Sequence, residues 1–234
     1  MSPPRSRFCG GVAFSAVEDG YLILLDGKPV KTPASAPLRL PSVALAEAVA
    51  EEWRAQADKI RPASMGLTKL ANTAIDRIAS DRQPWVEQIL RFGKSDLLCY
   101  RGEHASLAAR QALAWDPLLQ WADSAYGVKL KTASGLSFIE QPHEAILALM
   151  RVIASRDDFV LAGLNAATTL SGSAVIALAL ADGRLDVENA FVAAHLDEIY
   201  QWERWGKDDE AAAKAEKERR ELTEIARFIR SARR

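Results

Sequence analysis

At 234 residues, with 30 basic and 31 acidic side chains and a formal charge of −1, the chain can bury a substantial core without a disulfide or a metal. Near-neutrality excludes a broad electrostatic attraction to nucleic acid or to an anionic membrane. Two cysteines, Cys9 and Cys99, stand far apart and outside any CxxC pair; a reducing compartment is expected.

The N-terminus, MSPPRSRFCGG, lacks the apolar run of a signal peptide, so the expected location is cytoplasmic. Phe8 to Val17 and Tyr21 to Leu25 are predicted strands separated by a turn at Glu18, Asp19 and Gly20. A second turn at Asp26, Gly27 and Lys28 leads into Pro29 to Thr32, which makes a small β meander. Leu38 and Leu40, between Pro37 and Pro41, suit a short edge strand. Ser42 is a predicted N-cap for a helix reaching about Ala57, with Leu45, Ala48, Val49 and Glu52 on one face and Trp53 at its margin. Turn residues Arg61, Pro62 and Gly66 close this unit, and a domain boundary is expected between residues 63 and 64.

From Leu67 the pattern is almost wholly helical. Leu67, Leu70, Ala71, Ala74 and Ile78 line one side of a helix, leaving Asn72 and Asp76 on the other. Asp81 and Pro84 open a further helix with Trp85, Ile89 and Phe92 to bury, and LLCYR after Asp96 reads as a strand or a helical turn. Leu107, Gln111, Ala114 and Leu118 continue one stripe. Pro117 inside it would cost a helix interior about 3 kcal/mol, so Asp116 is expected to cap a new helix with Pro117 at its first position. Val128 to Ile139 suits a hairpin or loop, Pro142 opens a helix to about Ala154, and Asp157 caps the next.

Phe159 to Ala181 holds no charged residue. Asn165, Thr168, Thr169, Ser171 and Ser173 interrupt it and Gly172 divides it, which fits a buried helix pair and argues against membrane insertion. The last helix, about Asp208 to Ser231, aligns Ala215, Leu222, Ile225, Ala226 and Ile229; it is acidic at its start and basic at its end, as the helix dipole favours. The resulting fold class is α+β: a small N-terminal antiparallel β-containing domain with one helix (1–63), then a larger all-helical domain (64–234).

No catalytic set emerges. Gly93, Lys94 and Ser95 imitate the end of a phosphate loop, but Gln88 stands where its first glycine belongs. His104, His143 and His195 lack a second ligand at metal spacing, and Ser171–Gly172–Ser173 lacks the glycines of a nucleophile elbow. Glu51 and Glu52 diverge by about 100° on their helix, and Asp208, Asp209 and Glu210 suit a helix N-terminus. No catalytic residue, cofactor or metal is therefore expected. A small-molecule enzyme or ligand-binding protein with its site in the cleft between the two expected domains, using Asn72, Asp76, Asp96 and Arg101, is the alternative reading.

Leu196 to Glu210, LDEIYQWERWGKDDE, is the segment that asks for explanation. On a helical wheel Val192, Leu196, Ile199 and Tyr200 form an apolar stripe that includes Glu203, while Trp205 projects almost opposite, near Glu198. Aromatics framed by charges suit a protein interface. If instead the helix ends near Glu203, with Gly206 as its left-handed stop, the tryptophans cover the core. The acidity of the segment argues against nucleic acid.

Six ordered blocks carry a resemblance: LDGKPVKTP at 25–33, LAEAVAEEWRAQ at 45–56, LTKLANTAIDR at 67–77, SDLLCYR at 95–101, WDPLLQW at 115–121 and LDEIYQWERWGKDDEA at 196–211. Together they resemble the family of assembly chaperones of the F-type ATP synthase that attend the α subunit of the catalytic head, in mitochondria and alphaproteobacteria. The resemblance implies a non-enzymatic protein that holds unassembled α subunit until a β subunit takes its place, cytoplasmic in bacteria and in the matrix for mitochondrial relatives. Trp53, Glu198, Trp202, Glu203 and Trp205 lie in family blocks and are the expected partner-binding residues, on a chain expected to be a monomer when free.

Overall fold

The computed structural model describes residues 11–57, 59–135 and 138–233. Cys9 and the first residues of the expected Phe8–Val17 strand lie outside these. Strand β1 (Val12–Val17) runs antiparallel to β2 (Gly20–Leu25), in a register from Val12 opposite Leu25 to Val17 opposite Gly20. Asp26 and Gly27 both adopt positive φ, +52° and +74°, which is the left-handed two-residue turn that joins twisted strands. It delivers β3 (Lys28–Pro29) back onto the end of β2, and β4 (Arg39–Leu40) pairs with the beginning of the same strand. The expected meander and the short strand at Leu38–Leu40 are both present.

Helix α1 (Val43–Arg54) starts where Ser42 Oγ accepts from the Leu45 amide at 3.1 Å. Leu45, Ala48, Val49 and Glu52 are all buried, as their spacing demands. The buried Glu52 carboxylate meets the start of the next helix. It accepts from the Leu67 and Thr68 amides at 2.7 and 2.8 Å and from the Thr68 hydroxyl at 2.8 Å, so it caps α2 (Gly66–Thr73). Those amides are the unpaired donors of a helix start, and the dipole there favours the negative charge. After α2 the chain widens into a π-helical turn, Ala74–Ile78, where Asp76 accepts from Thr32 Oγ1 at 2.5 Å and from the Ala34 amide at 3.0 Å.

Contacts divide the described chain into two compact units. The first holds residues up to Arg82 together with Asp158–Gly163 and the chain from Arg227 on. Thus α2 and the π turn, assigned by the expected boundary at 63/64 to the helical domain, group with the strands, consistent with the Glu52 cap and the Asp76 bonds. In the same unit Ser42 Oγ donates to the Ser231 carbonyl and Arg227 pairs with Glu51.

The second unit spans 83–157 and 164–226. It contains α3 (Gln83–Lys94), a 3₁₀ turn at Leu97–Cys99, α4 (Ala105–Tyr126), α5 (His143–Ala154), α7 (Ala174–Ala181), α8 (Val187–Ala194) and α9 (Leu196–Trp205). Most of α6 (Asp158–Ser171) and of α10 (Asp209–Ala232) belongs to it as well. The LLCYR run is both a helical turn and a strand: β5 (Tyr100–Arg101) follows the 3₁₀ turn and pairs in parallel with β6 (Ala133–Ser134). No hairpin forms within the described part of Val128–Ile139, because Ala133–Ser134 pairs with β5 instead.

Pro117 does not start a helix. Helix α4 runs unbroken through it for 22 residues. Both Pro117 and Leu113, whose carbonyl would have bonded the missing N–H, are exposed, so water can take that carbonyl and the penalty of an interior proline is reduced. The uncharged run is the expected helix pair, α6 and α7 divided at Gly172. Every residue of α7 is buried, and its N-terminus is held by Ser173 and by Asp96, which accepts from the Ala174 and Val175 amides at 2.8 and 3.2 Å. Among the described residues no helix is long and apolar enough to cross a membrane. Helix α10 buries Ala215, Leu222, Ile225 and Ile229 as expected, leaves Ala226 of the same expected stripe half-buried, and buries Phe228 besides.

Candidate partner-binding site

Helices α8 and α9 are separate, broken at His195, so the wheel drawn from Val192 does not apply. Val192 belongs to α8 and is 41% exposed, whereas Leu196 and Tyr200 form the buried side of α9. Three residues of α4, Ser106, Arg110 and Gln111, bond to α9. Ser106 Oγ and the Tyr200 hydroxyl lie 2.6 Å apart, and Gln111 Nε2 donates to Asp197 at 2.7 Å while its Oε1 accepts from the Gly102 amide. Arg110 meets Glu203 through both guanidinium nitrogens, the second at 2.8 Å. Further along α4, the fully buried Trp115 donates its indole N–H to the Ala193 carbonyl at 2.9 Å, at the end of α8.

Glu203 is therefore no carboxylate in a dry core. It lies at an exposed edge, where the hydrogen bond from Arg110 holds its carboxyl below the usual range. The same contact raises Arg110 above the ordinary guanidinium value.

Glu198, Trp202 and Trp205 recur at i, i+4 and i+7, so they occupy the face turned away from Leu196 and Tyr200. Glu198 is exposed, Trp202 is half-buried, and Trp205 is 72% exposed. The helix includes Trp205 and stops at Gly206, whose φ of +88° a side chain would resist. Lys207, just past that stop, places its ammonium 4.1 Å from the Trp202 ring centre, and the Arg204 guanidinium lies 4.8 Å from the Tyr200 ring. Trp202 is thus shielded by a cation, and Trp205 presents its indole to solvent.

Two other residues lie outside this face. Leu113, three residues after Arg110 on α4, is 80% exposed. The periodic stripe of α4 could not reveal it, since it lies off that stripe; an apolar residue at a polar position was the only signal. Trp53 belongs to the first unit, where it is half-buried on α1 with its indole nitrogen enclosed.

Three of the four polar residues of the enzyme alternative, Asp76, Asp96 and Arg101, are used structurally. Asp76 and Asp96 hold backbone amides, and Arg101 pairs with Asp116 and stacks on Trp115. Asn72 lies in the first unit with its side-chain oxygen enclosed. Burial pushes the Asp96 carboxyl up to about 6 and the Cys99 thiol up to about 12. Among the described residues no group of three His, Cys, Asp or Glu side chains could hold a metal.

The sequence profile described as ATP12 chaperone protein matches residues 6–123. This chain belongs to the ATP12 chaperone family. It resembles the mitochondrial protein atp12 of Schizosaccharomyces pombe, with 26% identity over 222 residues that cover 89% of this chain and 76% of that one. The solved structure of Atp12 from Paracoccus denitrificans superposes with a TM-score of 0.92 at 38% identity, covering 97% of this chain and 98% of the other. The Atu1473 protein of Agrobacterium tumefaciens gives the same TM-score at 42% identity, over 99% and 87%. ATP12 chaperones serve ATP synthase assembly, and the Agrobacterium protein is likewise named as a chaperone and not as an enzyme.

Proposed function

We propose that this ATP12-family chain captures the unassembled α subunit of the F-type ATP synthase head and shields its subunit interface until a β subunit docks. The supporting observation is Trp205, a 72% exposed indole at the end of a helix whose same face carries Glu198 and Trp202. Water-exposed aromatics ringed by charge are typical energetic centres of interfaces, and an orphan subunit offers the apolar surface to match. Glu198 and Glu203 supply charge complementarity to basic groups on the client, and Trp53 on the first unit contributes a further anchor. The free chaperone is a cytoplasmic monomer, and its affinity stays low enough for exchange. Purified chain mixed with isolated α subunit is expected to form a stoichiometric complex on a sizing column, weakened by Trp205→Ala and by Glu198→Lys with the melting temperature unchanged. Undiminished capture by both variants would remove this face from the interaction.

A further inference from the structure

His195 stands at the break between α8 and α9, 8% exposed, and both of its ring nitrogens face acceptors. Nδ1 lies 3.0 Å from the Phe191 carbonyl oxygen and Nε2 lies 3.0 Å from Oε2 of Glu218 on α10. A neutral imidazole carries one N–H and can satisfy one of these; beside an ionised Glu218, satisfying both takes the imidazolium. The ring is also stacked on Phe191 at 4.1 Å between centres. Charged groups facing this cluster come from α8 and α10: Lys214 sits 3.8 Å from the other oxygen of Glu218, and Arg219 lies over the Phe191 ring and 3.5 Å from Glu188. Trp115 approaches from α4 with its neutral bond to Ala193.

We propose that His195 is a positioning residue for α9, a latch that protonation closes and deprotonation opens. With the proton on, the joint is tied at once to the last turn of α8 and to α10, so α9 starts from a fixed base. With the proton off, one nitrogen presents a lone pair to an acceptor, and the joint loses a charge-assisted bond. Loss occurs as pH rises, because deprotonation leaves the ring a single N–H for two acceptors. The consequence for client capture rests on the reading of α9 as the docking face.

Hydrogen exchange of the α9 amides in the free chain at pH 6 and pH 8, corrected for intrinsic rates, tests the latch itself. Protection of residues 196–205 is expected to fall about tenfold at the higher pH, the size of one lost charge-assisted bond. Glu218→Gln gives the distinguishing result, because its amide can donate to a neutral Nε2, so protection at pH 8 should equal or exceed that at pH 6. A wild-type chain whose α9 protection is the same at both values, or a Glu218→Gln chain that keeps the wild-type fall, overturns the proposal. Capture of isolated α subunit at the same two values reads the separate link. If exchange behaves as expected and capture occurs equally at both, the latch stands and its control of docking is refuted; absence of capture at both sinks the docking reading alone.

Discussion

Helices α7 and α9 put their apolar side chains to opposite uses. Helix α7 carries no charge and every one of its eight residues is buried, so its hydrophobicity is spent on the core. Helix α9 is charged along its length, buries Leu196 and Tyr200, and leaves Trp205 in water. In one helix apolar surface explains stability; in the other it is left over after stability is accounted for, and leftover aromatic surface is what a partner can use.

The comparison breaks most visibly in the core. Leu178→Ala in α7, at 1% exposure, is expected to cost about 2–5 kcal/mol of unfolding free energy, measured by urea titration, because the dense surroundings cannot close the cavity. A cost below about 1 kcal/mol would mean that α7 is less tightly enclosed than described.

The N-terminus of α7 supplies the next effect. Asp96 is fully buried and its carboxyl is pushed up to about 6 from 3.8, desolvation outweighing the bonds from Ser173, Leu98, Val175 and Ala174. A raised carboxylate binds its proton more readily in the folded state, so its share of stability is present below about 4 and is lost as pH rises through about 6. The gap corresponds to on the order of 3 kcal/mol. Asp96→Asn is expected to flatten this component of the stability–pH curve between pH 4 and 7. It also leaves a buried donor facing the Leu98 amide, a cost of about 1–3 kcal/mol. Urea midpoints at four pH values measure both; a variant curve parallel to wild type would exclude Asp96 as the titrating group.

Trp205→Ala sharpens the contrast from the other side. At 72% exposure it is expected to change unfolding free energy by no more than about 0.5 kcal/mol, yet to weaken capture of α subunit by about 2 kcal/mol, near thirtyfold, by calorimetry or sizing. Equal effects on stability and capture would return Trp205 to the core.

Local patterns were legible in the sequence wherever one period and one cap determine the element. Leu45, Ala48, Val49 and Glu52 announced the buried side of α1, Ser42 its cap, Asp26–Gly27 the turn, and the uncharged run its two helices. What stayed hidden depends on residues distant in sequence. Pro117 reads as a helix start in the sequence because its cost assumes a buried carbonyl, and only the fold shows Leu113 facing water. Glu203 looked misplaced because its answer, Arg110, lies 93 residues away. The wheel through Val192 failed since nothing local marks His195 as a break; its bonds to Phe191 and Glu218 do. The face of Glu198 and Trp205 could be drawn from spacing alone, but whether it met core or solvent was undecided until α4 was seen to grip the opposite side.

The smallest expected effect separates holding α9 from using it. Arg110 and Glu203 form a two-pronged ion pair between exposed side chains, and such pairs add little to stability because water and salt screen them and ordering two long side chains costs entropy. Glu203→Gln is therefore expected to leave the thermal midpoint within measurement error, since Tyr200, Asp197 and Leu196 still anchor α9. If the carboxylate also meets the client, the same variant will slow association with α subunit and reduce its dependence on salt, because charges at the edge of an interface act mainly on the encounter rate. Association rates in stopped flow at low and moderate salt distinguish the roles. Identical rates and salt slopes for wild type and Glu203→Gln would confine Glu203 to the ion pair with Arg110 and leave Glu198 as the acidic contact of the indole face.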